Sequence, residues 1–328
     1  MYRIESSTNN MSLQVGILYG KLELLIANSA WSKELKEIIN YRAAIAAVTT
    51  DKNIFDKIPA TNIPKQKQII DAVGAKGYAE YNSYRSSLER VTAKTAVPLT
   101  LLSLMQIHNS ILPEDEFTLR QNSVIPAKRI TVNNVIKEVE LKVKTKPKDI
   151  EAELQNFVQW FNNSYRHENP IILAALGHYK IAEIQPFSDG NGRLGNIIGN
   201  LGFLGGGIFN KKLFAIEYFL LNNIEMYYEL LQEATQTDDL TKWISFYTEA
   251  LFSSLIDTAR LIKNVTFGAV DLENNRQIEL NELETKTLKL ISVSPAMKVS
   301  EIADALSCTR QYVYKILNKL KQHNLLNN

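Results

Sequence analysis

At 328 residues the chain is longer than one average domain, and its 45% hydrophobic and 22% charged residues are ordinary for a globular protein. A net charge of +2 names no polyanionic partner, so a nucleic-acid role has to come from a local patch. The single cysteine, Cys308, excludes an intramolecular disulfide framework and a cysteine-based zinc site. No apolar run reaches about 18 residues and the start has no signal-like core, so the expectation is a cytoplasmic chain with no membrane span. In chain order, residues 12 to 112 read as helices, with apolar residues at helical spacing in "KLELLIANSAW", "SKELKEIINYRAAIAAV" and "LTLLSLMQIHNSIL" and breaks at "DKIPATNIPK" and before Pro98. From 124 to 146 the period becomes two. Val139, Leu141 and Val143 alternate with Glu140, Lys142 and Lys144, and Asn133-Asn134 offers a turn, which predicts a β-hairpin. Pro147 and Asp149 open another helix, "DIEAELQNFVQWFNNSY", and helices cover most of 213 to 265 after a glycine-rich stretch. The expected division is a helical N-terminal region at 1–95, a central domain at 96–268, a polar linker at 269–280 and a small C-terminal domain at 281–328.

The chemistry concentrates in "IAEIQPFSDGNGRLGNIIGN", residues 181 to 200. Two glycines flank Asn191 and let successive N–H groups point into one concavity. The apolar run that follows predicts a helix whose N-terminus adds partial positive charge. Such a place suits phosphate. Arg193 would add a forked donor, and Asp189 could hold a divalent cation bridging two phosphates. The other reading of "DGNG" is a hydrophilic turn that only joins two helices.

These residues resemble the signature of the Fic family, His-Pro-Phe-x-(Asp/Glu)-Gly-Asn-Gly-Arg-x-x-Arg, in the order Gln185, Pro186, Phe187, Ser188, Asp189, Gly190, Asn191, Gly192, Arg193, Leu194, Gly195 and Asn196. The flanks "LGHYKIAEIQPF", "LSLMQIHNSIL" and "MYYELL" are also similar to family helices, so the resemblance covers roughly 98 to 250. It implies a mainly α fold, a Fic helical core with a small β-hairpin flap, and transfer of AMP from ATP to a hydroxyl of a target protein. In that scheme the motif histidine takes the proton of the attacking hydroxyl. Asp189 binds Mg2+, Gly190, Asn191, Gly192 and Arg193 hold phosphates, and the last arginine holds the γ-phosphate. The hairpin at 124–146 would then dock an extended segment of the target protein. Its lysines fit an acidic peptide or, equally, an edge protected from self-pairing.

The chain departs from the signature at two places. Gln185 stands where the base belongs, and an amide takes no proton near pH 7, whereas a positioned base contributes about 10² to 10⁴ in rate. Asn196 replaces the final arginine, so a charged contact worth on the order of 1.5 to 3 kcal/mol becomes a neutral one. His178, seven residues before Gln185, lies about 10 Å away along a helix and reads as a packing or capping residue. Family relatives carry an inhibitory helix, (Ser/Thr)-x-x-x-Glu-(Gly/Asn). Glu89 in "YRSSLERV" is the nearest candidate, either a degenerate remnant of it or a solvated helix face.

Beyond the linker, "VSEIADALSCTRQYVYKILNKLKQHNLL" spaces Val299, Ile302, Ala303 and Leu306 for one helix and Val313, Ile316, Leu317 and Leu320 for a second, a pattern that resembles a winged helix-turn-helix. Thr309, Arg310, Gln311, Tyr312 and Lys315 open the second helix with side chains suited to base edges and phosphates, so DNA through 299–320 is one expected partner and protein docking the other. Lone modules of this size bind weakly, and a homodimer would relieve that. Sequence alone therefore supports a nucleotide-binding, catalytically impaired relative of the AMP-transferases. A DNA-binding regulator with a nucleotide-sensing domain and an active transferase with another base stand as the alternatives.

Overall fold

The computed structural model describes residues 2–27, 32–91, 97–113, 118–123, 127–132, 135–141, 143–207, 209, 211–266, 270–271, 276–277, 281–293 and 297–322. The fold is mainly helical. Helices α1 (Ser6–Ile26), α2 (Ser32–Val48), α3 (Ile54–Lys57) and α4 (Gln66–Arg90, bent at Gly74) lead to α5 (Leu101–Ile111). Two short strands, β1 (Ala127–Val132) and β2 (Val135–Glu140), pair antiparallel with Ala127 opposite Glu140. Then come α6 (Ile150–Ser164), α7 (Pro170–Ile184), α8 (Asn191–Leu204), α9 (Ile216–Asn222), α10 (Ile224–Thr237) and α11 (Thr241–Thr266). The alternation read over 139–144 runs past the second strand, because Leu141 turns into the core instead.

The centre of the molecule is the pair α7 and α8. Helix α7 is apolar on every side from Pro170 to Leu176 and is correspondingly buried all round, against α6 through Phe157 and Phe161 and against α11 through Trp243. Trp243 fixes the register by donating its indole N–H to the carbonyl of Ala175 at 2.7 Å. Helix α8 comes close because its facing residues have no side chains. A Cβ on Gly202 would stand 2.6 Å from the Ala174 backbone, and one on Gly199 would collide with the Tyr247 hydroxyl. The glycine spacing in "GNIIGNLG" is thus a packing surface as well as a turn signal.

The N-terminal helices share these cores. Val15, Tyr19, Leu22 and Ile26 of α1 repeat at helical spacing and pack in one cluster with α7 and α11, and the Tyr19 hydroxyl both donates to Lys211 O and accepts from Lys211 N. Helix α2 lies against α4 and α9, with Arg42 over the Tyr218 ring at 4.2 Å.

The C-terminal part has three helices, α12 (Glu282–Val293), α13 (Val299–Ala305) and α14 (Arg310–Gln322). Asn281 and Glu284 cap α12 reciprocally, each side chain accepting from the other's backbone N–H at 2.9 Å. Leu288 packs with Ile316 and Leu320, and Ile302 and Ala303 pack with Val313, as the apolar spacing predicts. Residues 323–328, where a wing would begin, lie outside the described residues. Within the segment read as a linker, Val270–Asp271 and Arg276–Gln277 form a short antiparallel bridge.

Candidate functional site

Helix α7 ends at Gln185, whose backbone takes the left-handed region at φ 47°, a conformation that turns the chain out of the helix and is uncommon for a residue with a side chain. Pro186 cannot continue the helix. Phe187 then drops into the core and stacks on His108 of α5, with ring centroids 3.7 Å apart and planes 7° from parallel. His108 Nε2 also bonds the Asp189 carbonyl at 2.9 Å, so one buried ring holds both ends of the turn. Gly190 closes it at φ 76°. Any Cβ there would meet Leu112 at 2.6 Å, so both conformation and space require glycine.

The Asn191 amide is turned inward. Its Oδ1 accepts from Phe187 N at 3.0 Å and its Nδ2 donates to Phe187 O at 2.8 Å, so the side chain ties the loop and any anion is left to the backbone. Leu194 N donates to Gly190 O as the first closed rung of α8, which places the amides of residues 191 to 193 at the head of the helix without intrahelical acceptors. This is the geometry of an anion site.

All seven motif positions singled out in the sequence border one cavity of about 390 Å³: Gln185, Asp189, Gly190, Asn191, Gly192, Arg193 and Asn196. The rest of its lining is mainly apolar and aromatic, with Ala46 and Ala47 of α2, Leu221 of α9, and Tyr227, Tyr228 and Leu231 of α10. The Asp189 carboxylate is 66% exposed, and its Oδ1 accepts the neighbouring Gly190 N–H. The Gln185 amide donates to Ala182 O at 2.8 Å. Neither Gln185 atom is a base at neutral pH.

Four residues that shape the site were not singled out in the sequence. Glu80 of α4 pairs with Arg193 at 2.5 Å and is the principal partner of that guanidinium, with Asp189 farther off at 3.6 Å. Arg120, 4% exposed, donates to the carbonyls of Gln185, Asn122, Thr145 and Ile184, while its own N–H bonds Pro186 O, so it rivets the segments on either side of the strand pair to the motif turn. Burial lowers its pKa from the ordinary arginine value. His108 is the stacking partner already described, and Glu217 lies in the cavity wall. Only Glu217 left a trace, as the lone acid in the apolar run "LFAIEYFLL".

The remaining candidates fall elsewhere. Glu89 does not reach the motif: its side chain is 51% exposed and pairs with Arg85 of its own helix, whereas Glu80, more than two turns earlier, faces inward. His178 is a packing residue. Its Nε2 meets Tyr227 OH at 2.8 Å, the rings of Trp243 and Tyr247 surround it, and burial pulls its pKa down to about 3, so it is neutral near pH 7. Glu183 is held by Tyr179 and Lys180. In the C-terminal part, Arg310, Gln311 and Lys315 are exposed. Thr309 caps α14 by accepting from Tyr312 N, Tyr312 packs against the Leu288 cluster, and Lys319 is spent on Glu284 at 2.8 Å. Among the described residues there is no cluster of three potential metal ligands and no helix long and apolar enough to cross a membrane.

Residues 98–201 match the sequence model of the Fic/DOC family. The chain is 27% identical over 210 residues to a protein adenylyltransferase Fic of Nematostella vectensis, an alignment that takes in 55% of this chain and 48% of that protein. It is 24% identical over 181 residues to one from Drosophila willistoni, covering 53% and 34%. It thus spans half or less of the length of these relatives. Among solved structures it is similar to a Fic family protein from Desulfovibrio desulfuricans G20, with a TM-score of 0.58 at 16% identity over 98% of this chain and 91% of that one. It is also similar to a Fic domain containing signaling protein from Bacteroides thetaiotaomicron VPI-5482, with a TM-score of 0.52 at 18% identity over 77% and 97%.

Proposed function

We propose that this chain binds a nucleotide in the cavity at the head of α8 and is impaired in adenylyl transfer. The observation that carries the reading is the composition of one cavity: its lining brings together the residues at the head of α8 with Arg193, apolar and aromatic side chains suited to a flat base, and an amide where a proton acceptor is needed. A volume of about 390 Å³ is in the range of small-molecule sites. Asp189 fits a magnesium ion held by a single carboxylate together with ligand phosphates, since its carboxylate stands exposed beside the turn. A bound magnesium ion would neutralise phosphate charge there. The chain's own contribution is positional: Arg120 and His108 hold the turn, Asn191 locks it, and Arg193 supplies the cation once a phosphate displaces Glu80.

Calorimetry with ATP and magnesium tests this. Expected is binding in the micromolar to low-millimolar range, lost in Asp189→Ala and Arg193→Ala. Glu80→Gln should tighten binding on the order of threefold to tenfold, because it frees Arg193 from a charge-assisted bond. No binding by the natural chain, with Glu80→Gln equally silent, would sink the proposal. In an assay with labelled ATP and candidate protein targets, the natural chain should transfer no adenylyl group above background.

A second reading is favoured by α14, where Arg310, Gln311, Tyr314 and Lys315 stand exposed on the side away from Val313 and Ile316. Such a face suits duplex DNA, with a homodimer supplying the second half-site. Titration with duplex at two salt concentrations discriminates it, since phosphate contacts steepen the salt dependence.

A further inference from the structure

Helix α7 ends in a way that its own backbone cannot complete. The last four carbonyls of a helix lack intrahelical donors, and each needs another donor where it is buried. Gln185 N serves Ile181 O at 2.9 Å. The next acceptor is Ala182 O, and four residues further on stands Pro186, which has no N–H to give it. Gln185 fills the gap with its side chain: Nε2 donates to Ala182 O at 2.8 Å, and the residue is only 7% exposed. That contact fixes the orientation of the amide, because a carbonyl accepts from the nitrogen and gains nothing from the oxygen.

The same accounting runs through the rest of the turn. Arg120 donates to the carbonyls of Ile184 and Gln185 from its guanidinium and to that of Pro186 from its backbone. Asn191 Nδ2 donates to Phe187 O, and His108 Nε2 bonds Asp189 O. These carbonyls are tied to the chain's own N–H groups, and all of the donors except Arg120 N are side chains. The amides of residues 191 to 193 at the head of α8 keep no intrahelical acceptor. The turn thus spends side-chain donors on its carbonyls and leaves backbone donors for an anion.

We propose that Gln185 is a positioning residue for the phosphate site: it supplies the N–H that Pro186 lacks, and by closing the end of α7 it holds the turn that presents the α8 amides. This rests on the nucleotide reading of the cavity. Position 185 then requires a side chain that donates to Ala182 O. Histidine meets that need as glutamine does, since a neutral imidazole carries one N–H. Glutamine keeps the donor and gives up the proton acceptor, so the substitution that disables transfer leaves the anion site standing.

The test compares Gln185→His, Gln185→Met and Gln185→Glu with the natural chain, by thermal melting and by calorimetry with two probes, ATP with magnesium and inorganic pyrophosphate with magnesium. A donor requirement keeps Gln185→His within about threefold of the natural affinity and places Gln185→Met, close in shape but without an N–H, on the order of tenfold weaker. The melting midpoint of Gln185→Met should fall by roughly 2–4 °C. Gln185→Glu sets a carboxylate against a carbonyl and should lose at least as much at pH 7. A residue that only fills space gives the opposite order, with methionine nearest to the natural chain and histidine behind it, and that order overturns the proposal. Should Gln185→Met fail to fold, hydrogen exchange of the Gln185 carboxamide, assigned by its absence from Gln185→His, decides: slow exchange supports the bond to Ala182 O, and exchange at the rate of a free amide overturns it. Pyrophosphate binding without ATP binding removes the nucleotide reading and leaves this proposal to the ranking of the variants. Silence from both probes in the natural chain removes both.

Discussion

The molecule uses one backbone device at Gln185, Asp238 and Ser307, and the first and last of these turns invite comparison. At 184–191 and again at 305–310 a helix ends, a residue other than glycine takes a positive φ (47° at Gln185, 52° at Ser307), and a second helix starts. The surroundings differ. The first turn is enclosed, with His108, Arg120, Gln185, Phe187 and Asn191 all buried, and its backbone is tied from three directions. The second is open, with Ser307, Thr309, Arg310 and Gln311 exposed. An enclosed turn fixes a few amides in space and suits a small anion. An open one offers long side chains over a wide face and suits a large partner. The contrast teaches that the surroundings of the turn, more than the turn itself, decide what a helix N-terminus can bind.

Substitution at the enclosed turn should be severe. Gly190→Ala combines a left-handed φ with a clash on Leu112, and denaturant unfolding should show a loss of roughly 2–5 kcal/mol. An unchanged midpoint would mean the turn is not held as described. Arg120→Ala removes a buried charged donor from four carbonyls, for an expected loss of roughly 1.5–3 kcal/mol with weakened nucleotide binding. The enclosed region should also be sensitive to acid. The His178 pKa is about 3 in the folded chain against the ordinary histidine value of 6.5. Between these values the unfolded chain binds the extra proton, so stability falls as pH drops through that window, by about 1.4 kcal/mol per unit, and above 6.5 the effect vanishes. Melting curves across the window should flatten in His178→Gln. The smallest effect belongs to the open turn, where Ser307→Gly relieves a positive φ at an exposed position and should stabilise by roughly 0.5–1 kcal/mol, the relief outweighing the added freedom of the unfolded chain. Equal penalties at the two turns would erase the comparison.

Much of the site was legible because it is local. Residues 185 to 196 are contiguous, so one turn and one helix bring them to a single cavity, and the apolar spacing of 299–320 placed its core residues. What escaped was what reaches the motif from far along the chain. Glu80 meets Arg193 across 113 positions and Arg120 meets Gln185 across 65, and no periodicity relates either pair. Glu89 attracted attention because it sits near a sequence pattern, yet helix phase turns it outward and Glu80 inward. The Asn191 side chain closes the loop through Phe187, since a buried amide bonds the nearest backbone groups, a contact that the residue's place in the motif does not announce. The motif shows where the cavity lies, but Glu217 enters its lining from another helix, α9, which Asn200 of α8 ties in by a hydrogen bond.

The aromatic cluster behind α7 has an optical consequence. Trp243 is fully buried, its ring centroid 5.7 Å from that of Tyr227, and Tyr227 borders the cavity while bonding His178. Any molecule that settles against Tyr227 therefore perturbs the surroundings of an indole shielded from solvent, which gives the chain a fluorescent reporter of occupancy without an added label.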